Sequence, residues 1–245
     1  MSLTTETKRR KHIEQEFGKQ NIPFVFFDAI TPERIEEIAK QFSITLDRSS
    51  KAKLSDGEIA CALSHIALWN FALENDLDYI NIFEDDIHLG ENVKALLEVD
   101  YLPLDVDVLK LEANGKMIFK KPTVIKCGRN IYPLTFKQSG TAGYTVTHKG
   151  AKYLLEQVKN KPLELAIDSL IFEDFLNLKD YKIMQLSPAI CVQDFIINSV
   201  PFESSLKKGR AAVSGNQKKA SLLEKIRNEF IRVKRKLFMK QVPFK

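Results

Sequence analysis

Cysteine is scarce in this chain, with three among 245 residues: Cys61, Cys127 and Cys191. Odd in number and far apart, they make neither a disulfide framework nor a CxxC zinc spacing. A reducing, cytoplasmic setting is the expectation. No apolar run approaches the ~20 residues that a transmembrane helix needs. The opening "MSLTTETKRRKH" lacks the apolar stretch of a secretory signal. Internal repeats are also missing. A nucleic-acid partner would call for basic residues on the folded body, or for a known module. The formal charge of +5 does not supply this, because it is unevenly spread. Residues 206–245 hold 13 Lys/Arg and 2 Asp/Glu, a net of +11, which leaves a net of −6 on the rest.

What is present is ordinary globular material, 44% hydrophobic and 28% charged. The length suits one domain with an appendage. The expected division is a body over residues 1–205 and a basic helical tail over 206–245.

Along the body, "KRRKHIEQEFGKQ" (8–20) predicts a helix with Ile13 and Phe17 at i, i+4. "IPFVFFDAI" (22–30) predicts a strand leaving at Asp28. Thr31 and Pro32 have the chemistry of an N-cap and first helical residue, and 43–54 reads as a polar loop. "LSDGEIACALSHIALWNFALEND" (54–76) is the clearest helix, opened by the capping box of Ser55 and Glu58. Strands are expected at 79–83 and 106–113, and short ones in "TVIKC" and "IYPLTF". A short helix is expected in "VKALLEV". A strand and helix follow over 140–158, a helix over 166–178 and a closing strand region over 181–194. Alternation of strands and helices argues for an α/β fold with a largely parallel sheet.

The unusual stretch is "YINIFEDDIHLG" (79–90), where Glu84, Asp85 and Asp86 follow a β-favouring apolar run. In open α/β sheets ligands bind beyond the carboxyl ends of strands, where Asp28 also falls. Clustered carboxylates repel one another unless a cation or hydrogen-bond donors neutralise them. Oxygen ligands without nearby Cys or His favour Mg²⁺ or Mn²⁺, which is useful where a diphosphate must be held. The plain alternative is a solvated loop. A haloacid-dehalogenase-type phosphatase fits badly, because its frame puts Glu84 at the nucleophile position or His88 at the second Asp. A magnesium phosphotransferase would need a nucleophile that no residue supplies.

Several stretches together resemble glycosyltransferase family 25, the lipooligosaccharide and lipopolysaccharide biosynthesis transferases. They are "SLTTETKRRKHIEQEF", "FVFFDAI", "LSDGEIACALSHIALW", "IFEDDI", "GTAGYTVTHKGAKYLL" and "PAICVQD", in the family's order over residues 2–194. The ordered pair GEIxCxLSHxxxW and EDD is its specific part. The resemblance implies a GT-A-like single domain with a mostly parallel Rossmann-like sheet flanked by helices. It further implies an inverting transferase that moves a hexose, most often galactose, from a UDP-sugar to a lipid-linked oligosaccharide with a β-glycosidic bond. Glu84, Asp85 and Asp86 would be the D-x-D equivalent holding Mn²⁺ or Mg²⁺. The family begins with an apolar strand running into "SL", whereas this chain begins "MSLTT". The resemblance places Ser2 and Leu3 at the uracil-binding edge, and the strand expected before them would be either truncated or replaced. A catalytically silent relative that binds nucleotide or glycan is the rival reading.

The same resemblance sets Gly57 and Glu58 near the donor, at the positive end of a helix. It draws His65 into the site as well, against the alternative of a histidine satisfied at a packing boundary. Cys61 and Trp69 read as packing. Gly140, Thr141, Ala142, Gly143 and Tyr144 would line the donor sugar and acceptor through close backbone approach, with Tyr144 stacking on a sugar; a tight turn is the alternative. Displacement at the anomeric carbon needs a base for the acceptor hydroxyl. Asp168 is the candidate, as a lone acid among apolar residues, against a helix N-cap role. Glu112 and Asp194 are reserves, and Gln193 or Asp194 would complete the metal or diphosphate shell.

In the tail, Leu222, Leu223, Ile226, Phe230, Val233 and Leu237 recur at helical spacing amid Lys and Arg. Residues 218–245 thus predict a basic amphipathic helix for an anionic inner-membrane surface, against a helix packed on the body. The expected location is cytoplasmic and peripheral on that membrane.

Overall fold

The computed structural model describes residues 1–48, 54–98, 101–117, 119, 121–122, 124–202 and 239–245. The expected tail helix falls mainly on 203–238 and lies outside the described residues. Among those described, no helix is long and apolar enough to cross a membrane.

The chain opens with a short extended segment and then α1 (Thr7–Gly18). Its inward stripe is Arg9, Ile13, Glu16 and Phe17, so two charged residues are buried with two apolar ones. Residues 22–30 are extended but form no strand. A single parallel bridge joins Ser2 to Asp28. Pro23 removes one donor, and the exposed Val25 has no partner sheet to pack on. Pro32 leads a one-turn 3-10 helix into α2 (Ile35–Phe42), which ends at Ser43 in the left-handed region. The helix α3 (Asp56–Glu74) carries both halves of the capping box, Ser55 with the Glu58 backbone and Glu58 with the Ser55 backbone. Most of its residues between Ile59 and Ala72 are buried, because α2 and α5 (His148–Lys159) both pack on it.

The strands are β1 (Tyr79–Phe83), β2 (Ile87–Leu89), β3 (Val108–Lys110), β4 (Lys116–Met117), β5 (Val124–Lys126), β6 (Arg129–Pro133) and β7 (Gly143–Thr147). They are followed by β8 (Ile183–Ser187), β9 (Cys191–Gln193) and β10 (Lys240–Gln241). Short helices α4 (Val93–Leu97), α6 (Ile167–Ser169) and α7 (Asp194–Ile197) complete the set. A π-helical turn at Leu170–Asp174 and a 3-10 turn continue α6.

The central sheet has six strands in the order β1-β7-β3-β8-β6-β5. The β3–β8 pairing is parallel; the other pairings in this sheet are antiparallel. The expected mostly parallel, Rossmann-like sheet is therefore corrected to a mixed, mostly antiparallel one. Parallel order requires a crossover after each strand. Here β7 inserts between β1 and β3 and runs against both. In addition, β5 and β6 form a hairpin through Cys127 and Gly128, both at positive φ, as a two-residue type I′ turn demands. Helices still cover both faces. Val108, Tyr144, Val146 and Ile183 face α2, α3 and α5, while Leu109, Leu111, Met184 and Leu186 face the other way with Ile13, Phe17 and Leu96.

Two small ribbons flank the sheet. One pairs β2 with β9, beside the acidic stretch. The other pairs β10 with β4, where Val242 is buried against Ala113, Met117, Ala189 and Val192. Residues 239–245 thus pack on the body, and the Lys245 carbonyl accepts from Arg129.

Candidate active site at the acidic strand end

Glu84 begins where β1 leaves the sheet, its N–H donating to Ala142 O at 2.9 Å. From here three carboxylates take three different environments. Glu84 Oε1 accepts from Thr141 Oγ1 at 2.8 Å and lies 3.5 Å from His65 Nε2. Burial pushes Glu84 up, but His65 and the Thr141 hydroxyl outweigh it and hold the carboxyl below its ordinary value. Asp85 turns inward, accepting from Ser2 Oγ at 2.6 Å and from Arg9 Nη1 at 2.7 Å. Asp86 is left with weaker partners, Arg9 Nη1 at 3.5 Å and Gln193 Nε2 at 3.5 Å. Burial, then Glu84 and Asp85, push its carboxyl up to about 7 against the pull of Arg9 and Gln193.

The three acids do not converge as one set of ligand atoms among the described residues. Asp85 is a packing residue that ties the segment before α1 to the strand end. Arg9 was invisible to motif reading. Its signal is the i, i+4, i+7, i+8 stripe Arg9–Ile13–Glu16–Phe17, which places a cation on the face of α1 that otherwise packs. Leu3 offers its carbonyl to Arg10, which also pairs with Asp28.

Behind Glu84 lies a buried polar relay. Trp69 Nε1 donates to Tyr144 Oη at 2.9 Å, and Tyr144 Oη lies 2.9 Å from His65 Nδ1. With Trp69 donating to it, the phenol can give its own proton to His65 Nδ1, which leaves the ring proton on Nε2, 3.5 Å from Glu84 Oε1. No hydrogen bond to His65 Nε2 closes within the described residues. His65, Trp69 and Tyr144 are all fully buried. Tyr144 therefore presents no ring to a sugar, correcting that expectation, and His65 lies behind Glu84 with no exposed surface of its own.

The glycine-rich entry to β7 has packing reasons. At Gly143 a Cβ would sit 2.2 Å from Cys191 Sγ. Gly140 has φ +83, and a Cβ there would meet Asn114 and Glu112. The turn that contains Gly140 is held from two sides. Asp168 Oδ2 accepts from Gly140 N at 2.9 Å, and its Oδ1 accepts from Ser169 N at 2.7 Å. Lys110 Nζ, fully buried, bonds Ser139 O at 2.9 Å and Glu112 Oε2 at 3.0 Å. Glu112 is fully buried too, and burial keeps its carboxyl above the ordinary value despite Lys110. It supports the turn, accepting from Ala142 N at 3.2 Å. Asp168, by contrast, is half-buried, and its two oxygens each accept from a backbone N–H.

Asp194 follows β9, and its N–H donates to Asp86 O at 2.7 Å. Its side chain accepts from His88 at 2.7 Å and Phe202 N at 2.8 Å. Burial would raise it, but His88, Phe202 and Asn198 hold it below its ordinary value. It clasps the β2–β9 ribbon. Gly57 and Glu58 sit in the first turn of α3, where Glu58 serves the cap. Half-buried Cys61, one turn on, joins these groups: burial and then Glu84, Asp168, Asp86 and Glu58 push its thiol well above the ordinary value. Four acids from three segments thus converge electrostatically around one end of α3. Cys61, His65 and Glu84 bring ligand atoms within 4.8 Å of one another, but a thiol held protonated is a poor metal ligand. Beside the acids a cavity of about 460 Å³ opens between β1 and residues 22–27, lined by Phe17, Phe24, Phe26 and Phe83 with Glu84 and Asp85 at one end.

A family model for glycosyltransferase family 25 (LPS biosynthesis protein) matches residues 1–171. The chain belongs to glycosyltransferase family 25. The match spans Ser2, Arg9, the three acids, His65, Thr141 and Asp168, and stops before the β9 clasp. A Haemophilus influenzae protein provisionally named a glycosyltransferase is 74% identical over 100% of this chain and 87% of that protein. The lipooligosaccharide biosynthesis protein lic2B of Haemophilus influenzae is 35% identical over 100% of this chain and 98% of its own length. The lacto-N-neotetraose biosynthesis glycosyltransferase LgtB of Neisseria meningitidis serogroup B is 35% identical over 79% of this chain and 74% of its own. In this family 25 member, the matched segment supplies Ser2, Arg9, His65, Glu84, Asp85, Asp86 and Thr141 at the end of β1, and Gln193 joins them from beyond it.

Proposed function

We propose that this family 25 glycosyltransferase moves a hexose, galactose by preference, from a UDP-sugar to a lipooligosaccharide acceptor with inversion. Asp86 is the observation that carries this reading. A carboxylate at a strand end, pushed to about 7 by burial and by two acidic neighbours, marks a place short of positive charge. The donor set fits a hard divalent cation: Asp86 and Glu84 are half-buried carboxylates, while Asp85 is committed to Ser2 and Arg9. A bound Mn²⁺ or Mg²⁺ would neutralise the charge that develops on the departing UDP. His65 fixes the direction of Glu84 from behind. Asp168 is the proposed base: each carboxylate oxygen accepts one backbone N–H and keeps a lone pair for the acceptor hydroxyl proton.

Thermal denaturation with a panel of UDP-sugars, with and without Mn²⁺, tests donor and metal together, because a ligand that binds the folded state raises its stability. A rise with one UDP-sugar that needs the metal is expected. Binding without turnover on any lipooligosaccharide acceptor would turn the reading into a nucleotide-binding relative. Asp168→Asn should keep donor binding and lower turnover by ~10²–10⁴; equal loss of both would make Asp168 structural.

The acceptor is lipid-linked, and the basic run in 218–245 suits an anionic inner-leaflet surface at about 1 kcal/mol per cation. Residues 239–245 belong to the body, so shortening the chain would remove β10 as well. The cleaner test replaces Lys234, Arg235 and Lys236 with Gln. Binding to anionic vesicles at low salt should fall at least tenfold with unchanged melting; unchanged vesicle binding would remove the membrane assignment.

A further inference from the structure

Outside the proposed active site, α1 and β2 bring a second group of metal-ligand side chains together. One ligand atom each from His12, Glu16 and His88 lies within 4.8 Å of the other two. The imidazole rings of His12 and His88 meet edge to face at 4.6 Å between centroids. His12 and Glu16 are one turn apart on α1, so they present one face, and His88 comes from the middle of β2.

Each of the three is already oriented from behind. His12 Nε2 lies 2.7 Å from Ile87 O, a carbonyl, so this nitrogen is the donor. His88 Nε2 lies 2.7 Å from Asp194 Oδ1. Both contacts put the ring proton on Nε2, which leaves the lone pair of each ring on Nδ1. Glu16 is buried, and its Oε2 accepts from Leu89 N at 2.9 Å. Its Oε1 holds Lys19 at 2.5 Å, through a side chain that is 68% exposed and can swing away. A metal-bound histidine commonly donates its other N–H to a carboxylate or a backbone carbonyl, which fixes its tautomer and raises its basicity. The pairs His88–Asp194 and His12–Ile87 carbonyl supply both versions of that arrangement.

We propose that His12, Glu16 and His88 form a second cation site for a borderline divalent ion such as Zn²⁺. It clasps α1 to the β2–β9 ribbon. Two imidazoles and a carboxylate select Zn²⁺ over Mn²⁺ or Mg²⁺, which prefer oxygen alone. Tetrahedral ligands about 2.1 Å from an ion stand ~3.4 Å apart; the three atoms lie within 4.8 Å of one another, so binding draws them together by at most about 1.4 Å. That is within the reach of side-chain rotation for His12 and His88, which are half-buried. The site would brace the stretch directly after Asp86.

The test uses the full chain, stripped with a chelator and then titrated with Zn²⁺ by calorimetry and with Co²⁺ by visible absorption. One Zn²⁺ per chain, a tetrahedral Co²⁺ spectrum and a raised melting temperature are expected. His12→Asn, Glu16→Gln and His88→Asn should each weaken Zn²⁺ binding at least tenfold, while Cys61→Ser and Asp86→Asn leave it unchanged. Circular dichroism of the metal-free variants checks the fold; should His88→Asn unfold, the two α1 variants decide. Zn²⁺ binding equally tight in His12→Asn and Glu16→Gln, or lost instead in Cys61→Ser or Asp86→Asn, overturns the proposal, as does no Zn²⁺ binding to the wild type.

Discussion

Asp86→Asn should make this protein more stable at alkaline pH while abolishing transfer. In the fold the Asp86 carboxyl titrates at about 7, against 3.8 for its reference value. An acid with a raised folded value binds more protons in the folded than in the unfolded state between those two limits. Stability therefore falls as pH rises from about 4 to 7 and then levels off. Ionised Asp86 is a penalty above pH 7, and asparagine, which mimics the neutral acid, escapes it. The full shift corresponds to about 4 kcal/mol at ~1.36 kcal/mol per pH unit. The carboxylate keeps 19% of its exposure and shares its titration with Glu84, so a gain of about 1–3 kcal/mol at pH 8 is the expected range. For a chain of this size that is roughly 2–12 °C in melting temperature. At pH 5 the gain should shrink by more than half. The assay is urea unfolding of wild type and variant at both values, in a chelator, beside the transfer assay. A variant no more stable than wild type at pH 8, or a gain equal at both pH values, refutes the electrostatic reading. So does retention of more than about a tenth of wild-type transfer, a change of only ~1.4 kcal/mol.

Arg9→Met should destabilise by about 3–5 kcal/mol, because it leaves Asp85 buried without its cation. The loss should be smaller at pH 5 than at pH 8, since protonation relieves the uncompensated acids; a loss below ~1 kcal/mol in urea unfolding at pH 8 would show that Ser2 suffices. Gly143→Ala should cost about 1–3 kcal/mol by overpacking against Cys191, and Cys191→Ala in the same chain should recover part of it. If the double variant is no better than the single one, the clash is not with Cys191. His65→Ala should reduce transfer and destabilise together, as it leaves the Tyr144 hydroxyl with Trp69 alone and loosens Glu84, whereas His65→Gln should restore melting before it restores turnover.

The helices were legible because their signals are local. Ser55 and Glu58 close the capping box, and Thr31 and Pro32 start a helical turn. The apolar run at 79–83 forms β1 with the acids just beyond its end. The closing strand region at 181–194 was legible as β-prone material but resolves into two strands, β8 and β9, serving different sheets. Residues 22–30 have strand composition too, yet they stay extended beyond a single bridge, because strand formation requires a partner that composition cannot name.

The amino-acid pattern by itself determined the family, the carboxylate cluster and its place at a strand end, since these depend on residue identity and order along one segment. Tertiary structure alone decided strand direction, because antiparallel insertion of β7 between β1 and β3 is a matter of pairing between residues far apart in the chain, such as Tyr79 with Thr147 and Val108 with Val146. It also decided which acid remains available. Glu84, Asp85 and Asp86 are nearly equivalent as letters, but Thr141 and His65 claim the first, Ser2 and Arg9 the second, and the third is left short of countercharge. Those partners come from α1 and the segment before it, from α3, and from the turn that enters β7, and their distances to a carboxylate exist only once the chain has packed.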